Sequence, residues 1–209
     1  MPASPAAAEG AFRVGFAPGV TPDKWRRTWA ERMPRRPLDL VPLGDGDGVA
    51  MVRAGELDMC FVRLPVDRDG LHLIPLYDEQ PVVVVAKENP VAAYDEIDVG
   101  DLADEHLLQD PDTVPAWRDV ATEVRDGSRY PVPELTLRQA VESVAADAGI
   151  VIVPMSLARL HHRRDVVAVR VNGVPTTQVG LTWRVDNEDA RVQTFIGVVR
   201  GRTANSSRG

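Results

Sequence analysis

The chain has 209 residues, 44% of them hydrophobic and 26% charged, with a formal net charge of −7. That length fits one large domain or two small lobes around a proper core. The acidic balance argues against a surface built to clamp a phosphate backbone, so no direct DNA binding by this chain is expected.

Residues 1–11 are rich in Ala and Pro. They lack the basic start and apolar run of a secretion signal, so they read as a disordered leader on a cytoplasmic protein. No stretch approaches the ~20 apolar residues of a membrane span. Phe12–Phe16 is the first strand. Thr21-Pro22-Asp23 reads as a helix start, with Thr21 as cap and Pro22 at the first helical position. Trp25, Trp29 and Met33 then share one face. Leu38–Leu43 is a second strand. After the glycine-rich loop 44–48, a helix is expected from about Val49 to Ala54, closed by Gly55 in a left-handed conformation. Leu57–Val62 is a third strand. It contains Cys60, the one cysteine of the chain, which supports no internal disulfide and reads as a small core residue. This β-α-β-α-β order predicts parallel strands with helices on their faces.

Leu71–Tyr77 and Pro81–Ala86 are extended, the second with four consecutive valines. The pattern then predicts a short helix over Val99–Ala103, a short strand at Leu107-Leu108 and a helix over Val114–Val124. A clear amphipathic helix follows from Thr136 to Asp147, ended by Gly149. Ile150–Val153 is a buried strand and Met155–Leu160 a helix. Val166–Val171 and Val179–Trp183 are strands. The helix Glu188–Arg200 has Val192, Phe195, Ile196 and Val199 on its buried face. Residues 201–209 read as a disordered tail. There is no internal repeat and no long linker. Two β/α units joined by two extended stretches imply two lobes with a cleft between them.

The segments in this order resemble the effector-binding (substrate-binding) domain of LysR-type transcriptional regulators. The resemblance is carried by Phe12-Arg13-Val14-Gly15-Phe16, by Val52-Arg53-Ala54-Gly55-Glu56-Leu57-Asp58 with the strand ending Val62-Arg63, and by Pro75-Leu76-Tyr77-Asp78-Glu79 before the valine run and Asn89-Pro90-Val91-Ala92. Asp101-Leu102-Ala103-Asp104, Val144–Pro154 and Leu181-Thr182-Trp183-Arg184 with Thr194-Phe195 complete it, over residues 12–200. Asp147 stands where the family usually has a small residue. The resemblance implies an α/β type 2 periplasmic-binding-protein fold: two Rossmann-like lobes joined by two crossing strands, with a small effector between them. Lobe I would be 12–80 and 178–200, and lobe II 81–177. It implies a homodimer through the Trp25/Trp29 helix and the Leu137–Val144 helix, a regulatory role rather than catalysis, and no cofactor. The family's winged helix-turn-helix head does not precede the first strand here. A stand-alone sensor is expected, with an excised piece of a longer regulator as the alternative.

Ligands of open α/β sheets bind beyond the carboxyl ends of strands. That places the candidate contacts at Pro18, Gly19 and Thr21, at Gly44 and Asp45, at Arg63, and in the second lobe at Asp110 and Thr136. Arg63 is the natural partner of a carboxylate, so a small carboxylate, or an amino acid if the acids also face inward, is the expected effector. The Gly-Asp-Gly-Asp-Gly loop fails the calcium-loop template, and His161-His162 lies among arginines, so no metal is expected. No nucleophile elbow, zinc-protease or phosphate-loop motif is present. The competing reading from another class is a dehydratase-like enzyme on the same two-lobe scaffold, resembling the prephenate dehydratase catalytic domain.

Overall fold

Residue alternation along the third strand explains how the first part of the chain is layered. The computed structural model describes residues 10–44, 46–131 and 133–201. Its strands β1 (Phe12–Phe16), β2 (Leu38–Pro42), β3 (Met59–Arg63), β4 (Leu71–Glu79) and β9 (Thr177–Arg184) form one sheet in the order β2-β1-β3-β9-β4. Successive side chains of a strand point to opposite faces. On β3, Met59 and Phe61 therefore join helices α1 (Asp23–Arg32) and α7 (Ala190–Val199), while Cys60 and Val62 join helix α2 (Asp47–Arg53). Both faces are covered, so β3 is buried along nearly its whole length. β1 is parallel to β2 and β3, as the β-α-β-α-β order predicts, and β9 runs antiparallel to β3.

The second sheet follows the same logic. Its order is β6 (Glu96–Asp98), β8 (Val166–Asn172), β5 (Pro81–Ala86), β7 (Val151–Pro154). Val83 and Val85 of β5 pack with Trp117, while Val82 and Val84 pack with helices α5 (Leu137–Ala145) and α6 (Met155–Leu160). The valine run is thus buried on both faces. β5 pairs antiparallel with β7 and β8, so the parallel pattern of the first sheet is not repeated.

The chain divides into two compact units, one up to Tyr77 and from Gln178 onward, the other Asp78–Thr177. It passes between them twice, at the end of β4 and the start of β9, which are neighbours in the first sheet.

Several local expectations are corrected. Thr21 caps nothing: Trp25 and Arg26 donate their backbone N–H groups to the Pro22 carbonyl, so Pro22 occupies the cap position and Thr21 lies one residue outside, exposed. Trp25 and Trp29 are not available to a partner, being 6% and 1% exposed. Trp29 stacks on Phe12 and Trp25 on Phe61, with ring centroids 5.3 and 4.6 Å apart. α2 starts at Asp47, because Gly46 turns the chain with φ 88°. The predicted 114–124 helix is two short ones, α3 (Pro115–Arg118) and α4 (Thr122–Arg125). Leu107 contributes only an isolated parallel bridge to Ile150. β6 has no counterpart in the sequence reading.

Helix ends follow local chemistry. α2 closes with Gly55 at φ 73°, whose N–H donates to Val52 while Glu56 N–H donates to Met51, a paired arrangement that satisfies two terminal carbonyls. α5 ends at Ala145, earlier than expected, with the same pair of bonds: Asp147 N–H to Val144 and Ala148 N–H to Ser143. Here the left-handed residue is Asp147, at φ 59°, the one non-glycine residue with positive φ among the described residues. Side chains other than Gly are disfavoured there, Asp and Asn least. Asp147→Gly is therefore expected to stabilise the protein by about 0.5–1 kcal/mol. A urea midpoint equal to or below that of the parent would contradict this.

Candidate functional site

The parallel strands β1, β2 and β3 end together at one edge of their sheet. Phe16 lies beside Pro42 and Phe61 in register, and the chain continues the pattern with Ala17 N–H donating to the Phe61 carbonyl and Leu43 N–H to that of Phe16, both at 3.1 Å. Beyond this edge lies a cavity of about 130 Å³. Ala17, Leu43, Phe61 and Val62 line it from the strand ends, Gly48 and Val49 from α2, and Val66 from the loop after β3. Gly44 and Arg63 line it too, and Arg63 is the charged side chain among the described lining residues.

Two small residues make room for it. Gly48 lies inside a helix, where glycine costs about 1 kcal/mol relative to alanine. It is buried, and a Cβ there would come within 2.5 Å of Cys60 Sγ and 3.3 Å of Leu43 Cδ1. Cys60 also lines the cavity, donates weakly to the Phe61 carbonyl at 3.4 Å, and is fully buried. Burial pushes its thiol up to about 12, so it stays protonated at neutral pH.

Of the expected contacts, then, Gly44 and Arg63 are placed at this cavity, and Arg63 is half-buried there. Pro18 and Gly19 form the adjoining turn, with Gly19 at φ 80° and Val20 N–H closing onto the Ala17 carbonyl, but neither they nor Thr21 line the cavity. Asp45 lies outside the described residues. Asp110 and Thr136 belong to the other unit. The Asp110 carboxylate accepts from Asp112 N–H at the start of a 3-10 turn. Thr136 caps α5 in a reciprocal box with Gln139, whose backbone N–H donates to the Thr136 hydroxyl while the Thr136 N–H donates to Oε1 of Gln139. Cys60 and Gly48 were not among the candidates: the cysteine reads as core, and the glycine as turn. The signal, a glycine inside a helix facing a small residue on the next strand, exists only once α2 is seen to start at Asp47.

The second unit holds a different cluster. Glu123 Oε2 accepts from His106 Nδ1 at 2.6 Å, and Oε1 pairs with the Arg129 guanidinium. Arg129 Nη2 also donates to the Leu107 and Gln109 carbonyls at 2.7 and 3.1 Å. Tyr130 stacks on the His106 ring at 4.0 Å. These groups tie the 106–109 segment to α4. Among the described residues, no group of three or more His, Cys, Asp or Glu side chains is placed to hold a metal, and no helix is long and apolar enough to cross a membrane.

Comparison with known proteins adds the context. The LysR substrate binding domain family model matches residues 6–204. The chain is 29% identical over 183 residues to a Mycobacterium avium protein named "Probable hydrogen peroxide-inducible genes activator", covering 83% of this chain and 58% of that protein. It is 29% identical over 125 residues to the Escherichia coli HTH-type transcriptional regulator MetR, covering 58% of this chain and 39% of that protein. The matched stretches therefore span 58% and 39% of the length of these two relatives. Among solved structures, the oxidised form of OxyR superposes with a TM-score of 0.71 at 21% identity, covering 95% of this chain and 98% of that one. The BenM effector-binding domain with its effector benzoate gives 0.68 at 18% identity, covering 93% and 92%. These likenesses show the fold, the type 2 periplasmic-binding-protein architecture of LysR regulatory domains.

Proposed function

The chain belongs to the LysR substrate-binding domain family, and from that premise we propose that it is the effector-sensing module of a transcription regulator and binds a small carboxylate. The observation that supports this most is the cavity at the carboxyl edge of β1, β2 and β3, where Arg63 is the charged side chain among the described lining residues. A guanidinium offers a carboxylate two parallel N–H donors, while Leu43, Val49 and Val62 shelter an apolar body. Pro18, Gly19 and Thr21, in the neighbouring turn, are proposed as further contacts.

Peroxide sensing, suggested by one relative's name, is disfavoured for this chain. Redox-sensing thiols are acidic, accessible and close to a second thiol. Cys60 is the one cysteine of the sequence, buried, with its thiol pushed up to about 12.

The test is a thermal-shift titration with small carboxylates, since a ligand at a hundred times its Kd stabilises by about 2.7 kcal/mol. Arg63→Ala is expected to weaken the binding of any hit by ~2 kcal/mol, about thirtyfold. Equal affinity in parent and variant removes Arg63 from the site.

We also propose that two copies pair through the outward faces of α1 and α5. Because the tryptophans are core, α1 would present Lys24, Arg26, Arg27 and Glu31, and α5 Arg138, Gln139 and Glu142. An isologous interface of this kind buries upwards of ~1,000 Å². Sedimentation is expected to show a dimer, and a strict monomer at tens of micromolar concentration rules the pairing out.

A further inference from the structure

We infer that Gly48 and Cys60 set the depth of the cavity, and with it the size of the apolar group the effector carries; this rests on the carboxylate reading above. Both residues line the cavity, on facing elements, one on α2 and one on β3. They are coupled by distance, since a Cβ on residue 48 would stand 2.5 Å from Cys60 Sγ and 3.5 Å from Val62 Cγ1. No substituent at 48 fits without moving the sulfur. On its other side the sulfur faces a second glycine, Gly15, where an added Cβ would stand 3.2 Å from it. The position of this wall follows from the absence of a side chain at 48 and the small one at 60.

The cavity of about 130 Å³ is slightly smaller than the engineered pocket of about 150 Å³ that accepts benzene. A phenyl ring or a short alkyl chain is the apolar body it suits. The thiol enters as a space-filling group, being protonated and buried. Arg63, also on the lining, holds the carboxylate end, so the distance between charge and apolar tip becomes the selected quantity.

The probe is a straight-chain series of monocarboxylates from acetate to octanoate, with benzoate beside it. Intrinsic tryptophan fluorescence gives the readout, because Trp25 stacks at 4.6 Å on Phe61, which lines the cavity. For the parent protein, affinity is expected to rise about fourfold per methylene until the cavity is full, and then to fall. Cys60→Ala should move the optimum outward by about one carbon, since the deleted sulfur leaves space. Cys60→Val and Gly48→Ala should move it inward and weaken the parent's best acid at least tenfold, leaving acetate and propionate at parental affinity. If Gly48→Ala does not fold, the opposed shifts of the two Cys60 variants carry the test. Identical chain-length profiles in parent and variants overturn the inference and leave the carboxylate site standing. If the parent binds none of these acids, the carboxylate reading fails and the inference fails with it.

Discussion

Replacing Gly149 by alanine is expected to destabilise the protein by about 3 kcal/mol or more, the largest effect of any single methyl group considered. Gly149 has φ 150°, a conformation that side chains rarely adopt, and an added Cβ would stand 2.3 Å from the His106 carbonyl oxygen and 3.1 Å from Leu108 Cγ. The oxygen cannot simply retreat, because it accepts from Ile150 N–H at 2.8 Å, while Leu108 N–H donates to the Ile150 carbonyl at 2.8 Å. Those two bonds are the bridge that holds the 106–108 segment against the strand region at 150. Relief of the clash must stretch one of them, beside Leu107 and Ile150, both fully buried. The measurement is the urea midpoint, together with amide exchange at Leu108 and Ile150, which should accelerate. A variant within 1 kcal/mol of the parent, on the scale of ordinary surface substitutions, would show that the segment yields more easily than its packing implies.

The second large effect is expected at Glu123. Its carboxylate is the shared acceptor for His106 and Arg129, and the side chains of all three are 12–17% exposed. Deleting one partner of a buried ion pair leaves the other charge uncompensated, typically at a cost of about 3–5 kcal/mol. Here Arg129 keeps its bonds to the Leu107 and Gln109 carbonyls and its position 5.6 Å from the Trp117 ring, so about 3 kcal/mol is expected for Glu123→Ala. His106 loses its acceptor as well. A carboxylate only accepts, so Nδ1 carries the proton in the parent, and Nε2, buried, has no hydrogen-bond partner among the described residues. Glu123→Gln retains one acceptor oxygen and is expected to lose about half as much. Thermal unfolding of the two variants separates these values. Equal losses would mean that the negative charge, rather than the hydrogen bonds, is what the cluster requires.

What could be read without coordinates depended on how local the cause was. The helix over α5 follows from its own 3.6-residue pattern, with Ala140, Val141 and Val144 buried. The break between α3 and α4 does not, because it depends on Thr122 N–H donating to the Ala103 carbonyl, nineteen residues back in the chain. β6 has one buried residue, Ile97, and exists through its pairing with β8. The spacing of Trp25 and Trp29 showed that they share a face, but not that Phe12, Phe61 and Phe195 would cover it. At the cavity, Arg63 and Gly44 were reachable from the rule about strand ends. Cys60 and Gly48 were not, because the space they leave is a property of α2 packed on β3.

The order of strands in the first sheet has a consequence for synthesis on the ribosome. Asp78–Thr177 is one uninterrupted stretch, whereas the sheet around β3 needs β9, supplied from Thr177 onward, and α7. A nascent chain that has just emitted residue 177 possesses every element of the inner unit but lacks the neighbour of β3 and the Phe195 ring that packs on Phe12 and Phe61. Long-range pairings close late because their loops are costly to order. The segment made first is thus completed last, and a stalled or truncated translation product would expose an open strand edge with the cavity beside it not yet consolidated.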